Sequence, residues 1–201
     1  MSVENRVEGL DPSVFVHPMG LCESDRVGPR TRIWAFAHVL PGARVGADCN
    51  VGDHAFIEGG ARLGDRVTVK NAVLVWDRVT VEDEVFLGPN MVFTNVLTPR
   101  AGHRTPREQF VPTLVCHGAT VGANATVVCG VTIGRHAFVA AGAVVVADVA
   151  AHALVAGNPA RRVGWMCTCG QRLDDRLACA CGRRYRLVDE SAGLELTRGP
   201  G

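Results

Sequence analysis

From Val27 to Phe93 every sixth residue is aliphatic or aromatic: Val27, Ile33, Val39, Val45, Val51, Ile57, Leu63, Val69, Val75, Val81, Leu87 and Phe93. A six-residue period fits neither an amphipathic helix, which repeats at about 3.6, nor a half-buried strand, which repeats at about 2. It fits a triangular solenoid in which each hexad forms one flat side and three hexads make a coil. The aliphatic then points inward. Four residues later comes a small or β-branched side chain, as at Thr31, Ala43, Cys49, Ala55, Ala61, Val67 and Val73, which is expected to face the same interior. Gly follows several inward positions, as in Val45-Gly46, Val51-Gly52, Leu63-Gly64 and Leu87-Gly88, and is expected to help the chain turn its corners. Coils stacked at the strand spacing of about 4.8 Å give roughly six coils and a prism about 29 Å tall. Each coil buries its apolar face only against its neighbours.

The register resumes at Val121, Ile133, Val139 and Val145 with an offset that is not a multiple of six. The intervening stretch 96–113, VLTPRAGHRTPREQFVPT, has three prolines and four charged residues and lacks the inward aliphatic. It is expected to leave the prism as an extended loop, a common carrier of binding residues on rigid scaffolds. Lys+Arg is 21 against 20 Asp+Glu, a balance that gives no reason to propose a nucleic-acid or membrane-surface partner. With 47% hydrophobic and 20% charged residues the composition is globular. No apolar run approaches the roughly 20 residues of a membrane span. The leading segment MSVENRVEGL is too polar for a signal peptide, so the expected location is cytoplasmic. There, eight cysteines point to thiols or metal ligands before disulfides.

The repeat resembles that of the hexapeptide-repeat acyltransferases. Three segments are similar to one subgroup, the nucleotide-sugar N-acetyltransferases of the UDP-2-acetamido-3-amino-2,3-dideoxyglucuronate N-acetyltransferase type. They are RIWAFAHV at 32–39, VEDEVFLGPNMVFTNV at 81–96, and GATVGANATVVCGVTIG at 118–134 leading into AGNPARRVGW at 156–165. The resemblance implies an all-β, left-handed parallel β-helix over 1–166, a trimer, and active sites in the clefts between neighbouring prisms. It places Asn95, of Phe93-Thr94-Asn95, where a sugar amine meets the thioester of acetyl-CoA. An amide cannot titrate, so Asn95 would orient the amine through its carbonyl oxygen rather than act as a base. Without the resemblance, Asn95 reads equally as a turn residue closing a coil. The same resemblance gives Asn71, Trp76, Arg100, Arg107 and His38 to the acceptor sugar nucleotide. It gives Ala123, Ala141 and Gly142 to the pantetheine of acetyl-CoA, and Asn158, Pro159, Arg161 and Arg162 to its adenine and phosphate end. Arg100 and Arg107 otherwise read as solvated loop charges. The chain departs from the subgroup at Lys70-Asn71-Ala72, at Trp76 in place of a tyrosine, and at Ala147 in place of a lysine, which bears on the identity of the sugar.

After Trp165 the hexads stop. Cys167-x-Cys169-Gly170 and Cys179-x-Cys181-Gly182 form two matched pairs that resemble zinc-ribbon knuckles, although the usual knuckle is C-x-x-C. Four thiolates suit a closed tetrahedral structural zinc site over 167–189; disulfides and free thiols are the alternatives. Residues 190–201 read as a flexible tail. Cys22, Cys49, Cys116 and Cys129 are scattered and form no metal pattern.

The principal reading is acetyl-CoA-dependent N-acetylation of a nucleotide-linked amino sugar. A second enzyme reading is O-acetylation of a sugar or small metabolite with His103 as base, His117 being the other candidate, since a hydroxyl needs deprotonation more than an amine does. A third is a non-catalytic trimeric scaffold. A carbonic anhydrase of this fold needs an H-x4-H pair, and none of the seven histidines makes one.

Overall fold

The computed structural model describes residues 5–199; the first residues of the polar N-terminal segment and the last two of the expected tail lie outside it. Each hexad spends two residues on a strand, the first facing out and the second in, as in Arg32–Ile33, His38–Val39 and Arg44–Val45. These short strands build the three sides of a parallel solenoid. Face one runs from Phe15–Val16 to Ala153–Ala156 in eight parallel rungs and ends on the antiparallel strand Arg161–Trp165. Face two carries seven rungs from Leu21–Cys22 to Val144–Val145, and face three carries five from Arg44–Val45 to Thr132–Ile133. Asn50 stands opposite Thr68, one eighteen-residue coil later. The inward aliphatics and the small residues four positions on, Thr31, Cys49, Ala61 and Val73 among them, are all buried.

The prism is taller than the expected six coils. Residues before Val27 already stack, with Phe15 on Arg32 and an isolated bridge from Arg6 to Cys22, and Ala153–Ala156 adds a further rung after the last regular hexad.

The corners also differ from expectation. They are turned by residues in the left-handed region at every sixth position, including Arg30, Phe36, Asp48, His54, Arg66, Glu84 and Asn90. A non-glycine residue costs about 1–2 kcal/mol there, and the coil stacking over-determines the turn. The glycines after the inward aliphatics serve close approach instead: a Cβ on Gly88 would lie 2.6 Å from the backbone nitrogen of Ala123 in the coil above.

Val92 pairs with Thr126 rather than with residue 110, so the excursion adds sixteen residues to its coil. It leaves after Val92–Phe93 and returns at Thr113–Val115; Thr113, expected in the loop, is buried in the sheet opposite Val79. Inside the loop, Arg107–Gln109 form one 3-10 turn.

The expected tail is ordered. Gly193–Arg198 pairs antiparallel with Arg184–Asp189, and Leu194 is buried against Cys167, Leu173, Cys179 and Tyr185. The alternation of Leu194 and Leu196 with polar residues is the strand signal in that segment. Among the described residues, no helix is long and apolar enough to cross a membrane.

Gly88→Ala should lower stability by about 1–3 kcal/mol through overpacking. Gly102→Ala, where a new Cβ meets nothing within 4 Å, should leave it unchanged. Chemical denaturation of both variants measures the difference.

Candidate active site

Face two carries an apolar stripe outward from His38 through Phe56 and Leu74 to Val92, one residue per rung. The His38 and Phe56 rings meet edge to face at 5.8 Å, and Phe56 lies 5.8 Å from Trp76. Trp76 Nε1 donates 2.9 Å to the carbonyl of Phe93, so the indole is fixed one coil below the mouth of the excursion. His38 Nε2 sits 2.6 Å from the Glu23 carboxylate.

Asn95 follows that mouth at the corner between faces two and three. Its carbonyl accepts the Val111 N–H at 2.9 Å, which draws the exit of the loop back against its entrance. Among the described residues its side-chain amide has no hydrogen-bond partner, and it is half-buried. His38, Trp76 and Asn95 therefore belong to one continuous surface. Asn71 does not join them: it sits on the opposite edge of face two, its carbonyl accepting the Asn90 N–H at 3.0 Å.

The loop is latched to the prism by an ion pair from Arg107 to the buried Asp77, whose backbone N–H donates 2.7 Å to Glu58. Arg107 is thus tied to the prism by one ion pair while its side chain stays 65% exposed. Arg100 and His103 are exposed at the loop tip, joined by a backbone bond from His103 N–H to Arg100 O of 3.1 Å. The Glu58–Asp77–Arg107 latch was not legible in the sequence, because its members lie on two coils and a loop whose docking no spacing encodes.

Ala123, Ala141 and Gly142 lie one coil apart at the corner between faces one and two. The Gly142 N–H is committed to the Ala123 carbonyl at 2.8 Å. Among the described residues the N–H groups of Ala123 and Ala141 have no backbone acceptor, which leaves two stacked donors for a ligand amide. Asn158 and Pro159, joined by a cis peptide bond, cover the top of face two, where Ala160 N–H donates to Val144 O at 2.8 Å. Arg161 is exposed. Arg162 is engaged: its guanidinium lies 4.4 Å above the Trp165 ring and 2.6 Å from Glu190. These two arginines line a cavity of about 240 Å³ over the last coil.

Along the third corner runs a column of rings. His117 meets His136 at 5.3 Å, His136 meets His152 at 5.1 Å, and His152 meets Tyr185 at 4.9 Å. His117 also lies 3.5 Å from Glu84. This corner faces away from Asn95, so the fold separates His117 from the candidate catalytic residue. Burial, reinforced by the neighbouring His152, His117 and Arg135, pushes His136 down to about 4, and burial likewise lowers His152.

The four C-terminal cysteines converge. Their Sγ atoms all lie within 4.8 Å of one another, with 3.6 Å between Cys167 and Cys181 and 3.5 Å between Cys169 and Cys179. The Arg183 backbone N–H, followed by its guanidinium, holds the Cys181 thiol down at about 6. Cys49, by contrast, faces the prism interior, where burial pushes it up to about 11 and leaves it an inert thiol.

Residues 26–59 match the bacterial transferase hexapeptide (six repeats) family, and residues 117–147 match the hexapeptide repeat of succinyl-transferase. The chain is 48% identical to a dTDP-3-amino-3,6-dideoxy-alpha-D-galactopyranose 3-N-acetyltransferase of Aneurinibacillus thermoaerophilus, over 87% of this chain and 92% of the relative. A 2,3,4,5-tetrahydropyridine-2,6-dicarboxylate N-acetyltransferase of Staphylococcus aureus is 38% identical over 38% of this chain and 29% of its own length. Among solved structures, PerB of Caulobacter crescentus in complex with CoA and GDP-perosamine is 24% identical with a TM-score of 0.44; the match covers 77% of this chain and 56% of that one.

The histidine column gives stability a pH dependence of definite sign. His136 in the folded state titrates at about 4 against an ordinary value of 6.5, so its contribution is complete above about 6.5 and is lost as the pH falls toward 4. The melting temperature should therefore fall between pH 7 and pH 4.5. His136→Asn, which tolerates the left-handed backbone at that corner, should fall less over the same range in thermal scans.

Proposed function

The chain belongs to the hexapeptide-repeat acyltransferases, and from that premise we propose that it transfers the acetyl group of acetyl-CoA to the amino group of a nucleotide-linked amino sugar. The observation that carries the reading is the 48% identity, across nearly the whole of both chains, to an enzyme named for N-acetylation of a dTDP-linked 3-amino sugar. The acceptor class proposed is accordingly a nucleoside-diphosphate 3-amino-deoxyhexose. A left-handed coil, a homotrimer and a cytoplasmic setting complete the proposal.

In this reading Asn95 stands where the chemistry occurs. Its side-chain oxygen accepts a hydrogen bond from the acceptor amine and aims the lone pair at the thioester carbonyl. The amine nitrogen forms the new C–N bond, the C–S bond breaks, and the departing thiolate takes the proton released by nitrogen. No side-chain base is needed, because the uncharged amine is already a competent nucleophile. Orientation alone supplies several kcal/mol, up to about 7–11 in favourable cases. The free N–H groups of Ala123 and Ala141 suit the pantetheine amides, and the exposed Arg161 suits a phosphate. These donors and Asn95 lie on opposite edges of face two, so a cleft between two copies of the chain brings the edge of one against the edge of the other. Trp76 and His38 supply the wall of that cleft, with Arg100 at its rim. Four thiolates at the C-terminus fit a structural zinc, which stands outside the chemistry.

The loop position of His103 keeps O-acetylation as the second reading. Kinetics of two variants separate them, with acetyl-CoA and a dTDP-3-amino-deoxyhexose as substrates. Asn95→Ala should lose roughly 10- to 150-fold in turnover, the equivalent of one hydrogen bond of about 1.5–3 kcal/mol to a nitrogen that becomes partly positive as it attacks. His103→Ala should stay within a few-fold of the parent. An inactive His103→Ala beside an unaffected Asn95→Ala contradicts the proposal.

A further inference from the structure

The cysteine cluster terminates a miniature domain that is too small to hold itself together. Its buried side chains are Cys167, Leu173, Cys179, Tyr185 and Leu194. A core of that size does not offset the ordering of some thirty residues without a staple. The two cysteine turns are built alike. Cys167 N–H donates to Gln171 O at 2.8 Å and Gly170 N–H to Cys167 O at 2.9 Å; Cys179 N–H donates to Arg183 O and Gly182 N–H to Cys179 O, both at 2.9 Å. Gly170 and Gly182 both take the left-handed conformation that brings the second sulfur round toward the first. A tetrahedral ion with metal–sulfur bonds of about 2.3 Å separates its sulfurs by about 3.8 Å. The closest pairs here lie at 3.5 and 3.6 Å, far beyond the roughly 2.05 Å of a disulfide.

This module sits on the open end of the solenoid. Its hairpin turn bonds the last corner, with Ala151 N–H donating to Ala192 O and Leu194 N–H to Ala151 O. Tyr185 faces His152, whose Nδ1 lies 2.9 Å from the Met166 carbonyl. Arg172 donates 2.6 Å to Val163 O, and Glu190 reaches Arg162. The strand Arg161–Trp165 is therefore held on one edge by Ala153–Ala156 and runs directly into the first cysteine turn.

We propose that one Zn(II), bound by Cys167, Cys169, Cys179 and Cys181, staples a cap whose function is to order the segment 158–165, so that metal occupancy sets the affinity of this protein for the phosphate end of CoA. This inference rests on the reading of Arg161 and its neighbours as the CoA end of the site. The metal is remote from Asn95 and takes no part in acetyl transfer; its effect is confined to donor binding. Arg162 is a positioning residue, since Glu190 and Trp165 already engage its guanidinium.

The test compares the full-length zinc-loaded protein with the same protein after chelation, and with Cys179→Ser/Cys181→Ser. Elemental analysis should find about one zinc per chain in the first and none in the others; a metal-free parent, or zinc retained by the double variant, rejects the metal site. Hydrogen exchange should rise at 153–166 and 184–194 on zinc loss and stay unchanged at 33–93. Calorimetric titration with CoA should show binding weakened at least about tenfold, the loss of one charge-assisted contact. The KM of the amino-sugar nucleotide should stay the same. Zinc present, with faster exchange but unchanged CoA affinity, rejects the coupling and leaves the metal site standing. Should CoA bind neither form, the CoA reading of the segment fails instead. If the double variant does not fold, the chelated parent carries the same four readouts.

Discussion

Stacking of one coil on the next, through backbone hydrogen bonds that mostly join residues seventeen or nineteen apart, is the constraint on which this molecule depends. It fixes each inward aliphatic above its predecessor, as Val51 lies above Ile33 and below Val69. It forces glycine where two backbones nearly touch, as at Gly88 beneath Ala123. It also stabilises left-handed corners that non-glycine residues would not adopt alone, so the strain at each corner is offset by the ladder above and below. Because every coil repeats the geometry of the last, a departure from the repeat is a departure in space. The sixteen-residue excursion has nowhere to go but outward, and it takes Asn95 to its mouth and His103 to its tip.

A rigid prism of this kind makes poor pockets in a single chain, since its faces are flat. In the proposed reading, function is distributed across the width of face two. A stripe of Phe56, Leu74 and Val92, with His38 at its foot, runs up its middle. Asn95 borders it on one edge, and the unpaired amides of Ala123 and Ala141 border it on the other. Flat, half-apolar faces with complementary edges suit the proposed assembly of copies. The Asp77–Arg107 pair latches the excursion to the prism.

The sequence was most transparent where the structure is most repetitive. A six-residue period dictated three-sided coils, and the remainder between Phe93 and Val121 located the excursion, because both follow from stacking. The paired C-x-C-G turns located the cysteine cluster for the same reason: local spacing encodes local geometry. What stayed hidden depends on contacts between coils. Asp77 and Arg107 are thirty residues apart, and only docking of the loop joins them. The His117–His136–His152 column is invisible because its spacing is nineteen at one step and sixteen at the next. The glycines after the inward aliphatics were misread as corner residues, since close approach and a left-handed turn select the same amino acid. The C-terminal strand was misread as tail because it pairs only with Arg184–Asp189 and with one corner of the last coil.

The central claim, that an amine of a nucleotide sugar is the acetyl acceptor, is tested most directly by the bond the enzyme makes. Incubating the protein with carbonyl-labelled acetyl-CoA and a dTDP-3-amino-deoxyhexose, and following the labelled carbon by NMR, distinguishes the possible products. The account predicts coupling from the labelled carbonyl to the amide proton on the sugar amine and resistance to hydroxylamine. A label found on a sugar hydroxyl as a hydroxylamine-labile ester, or released only as free acetate, contradicts it.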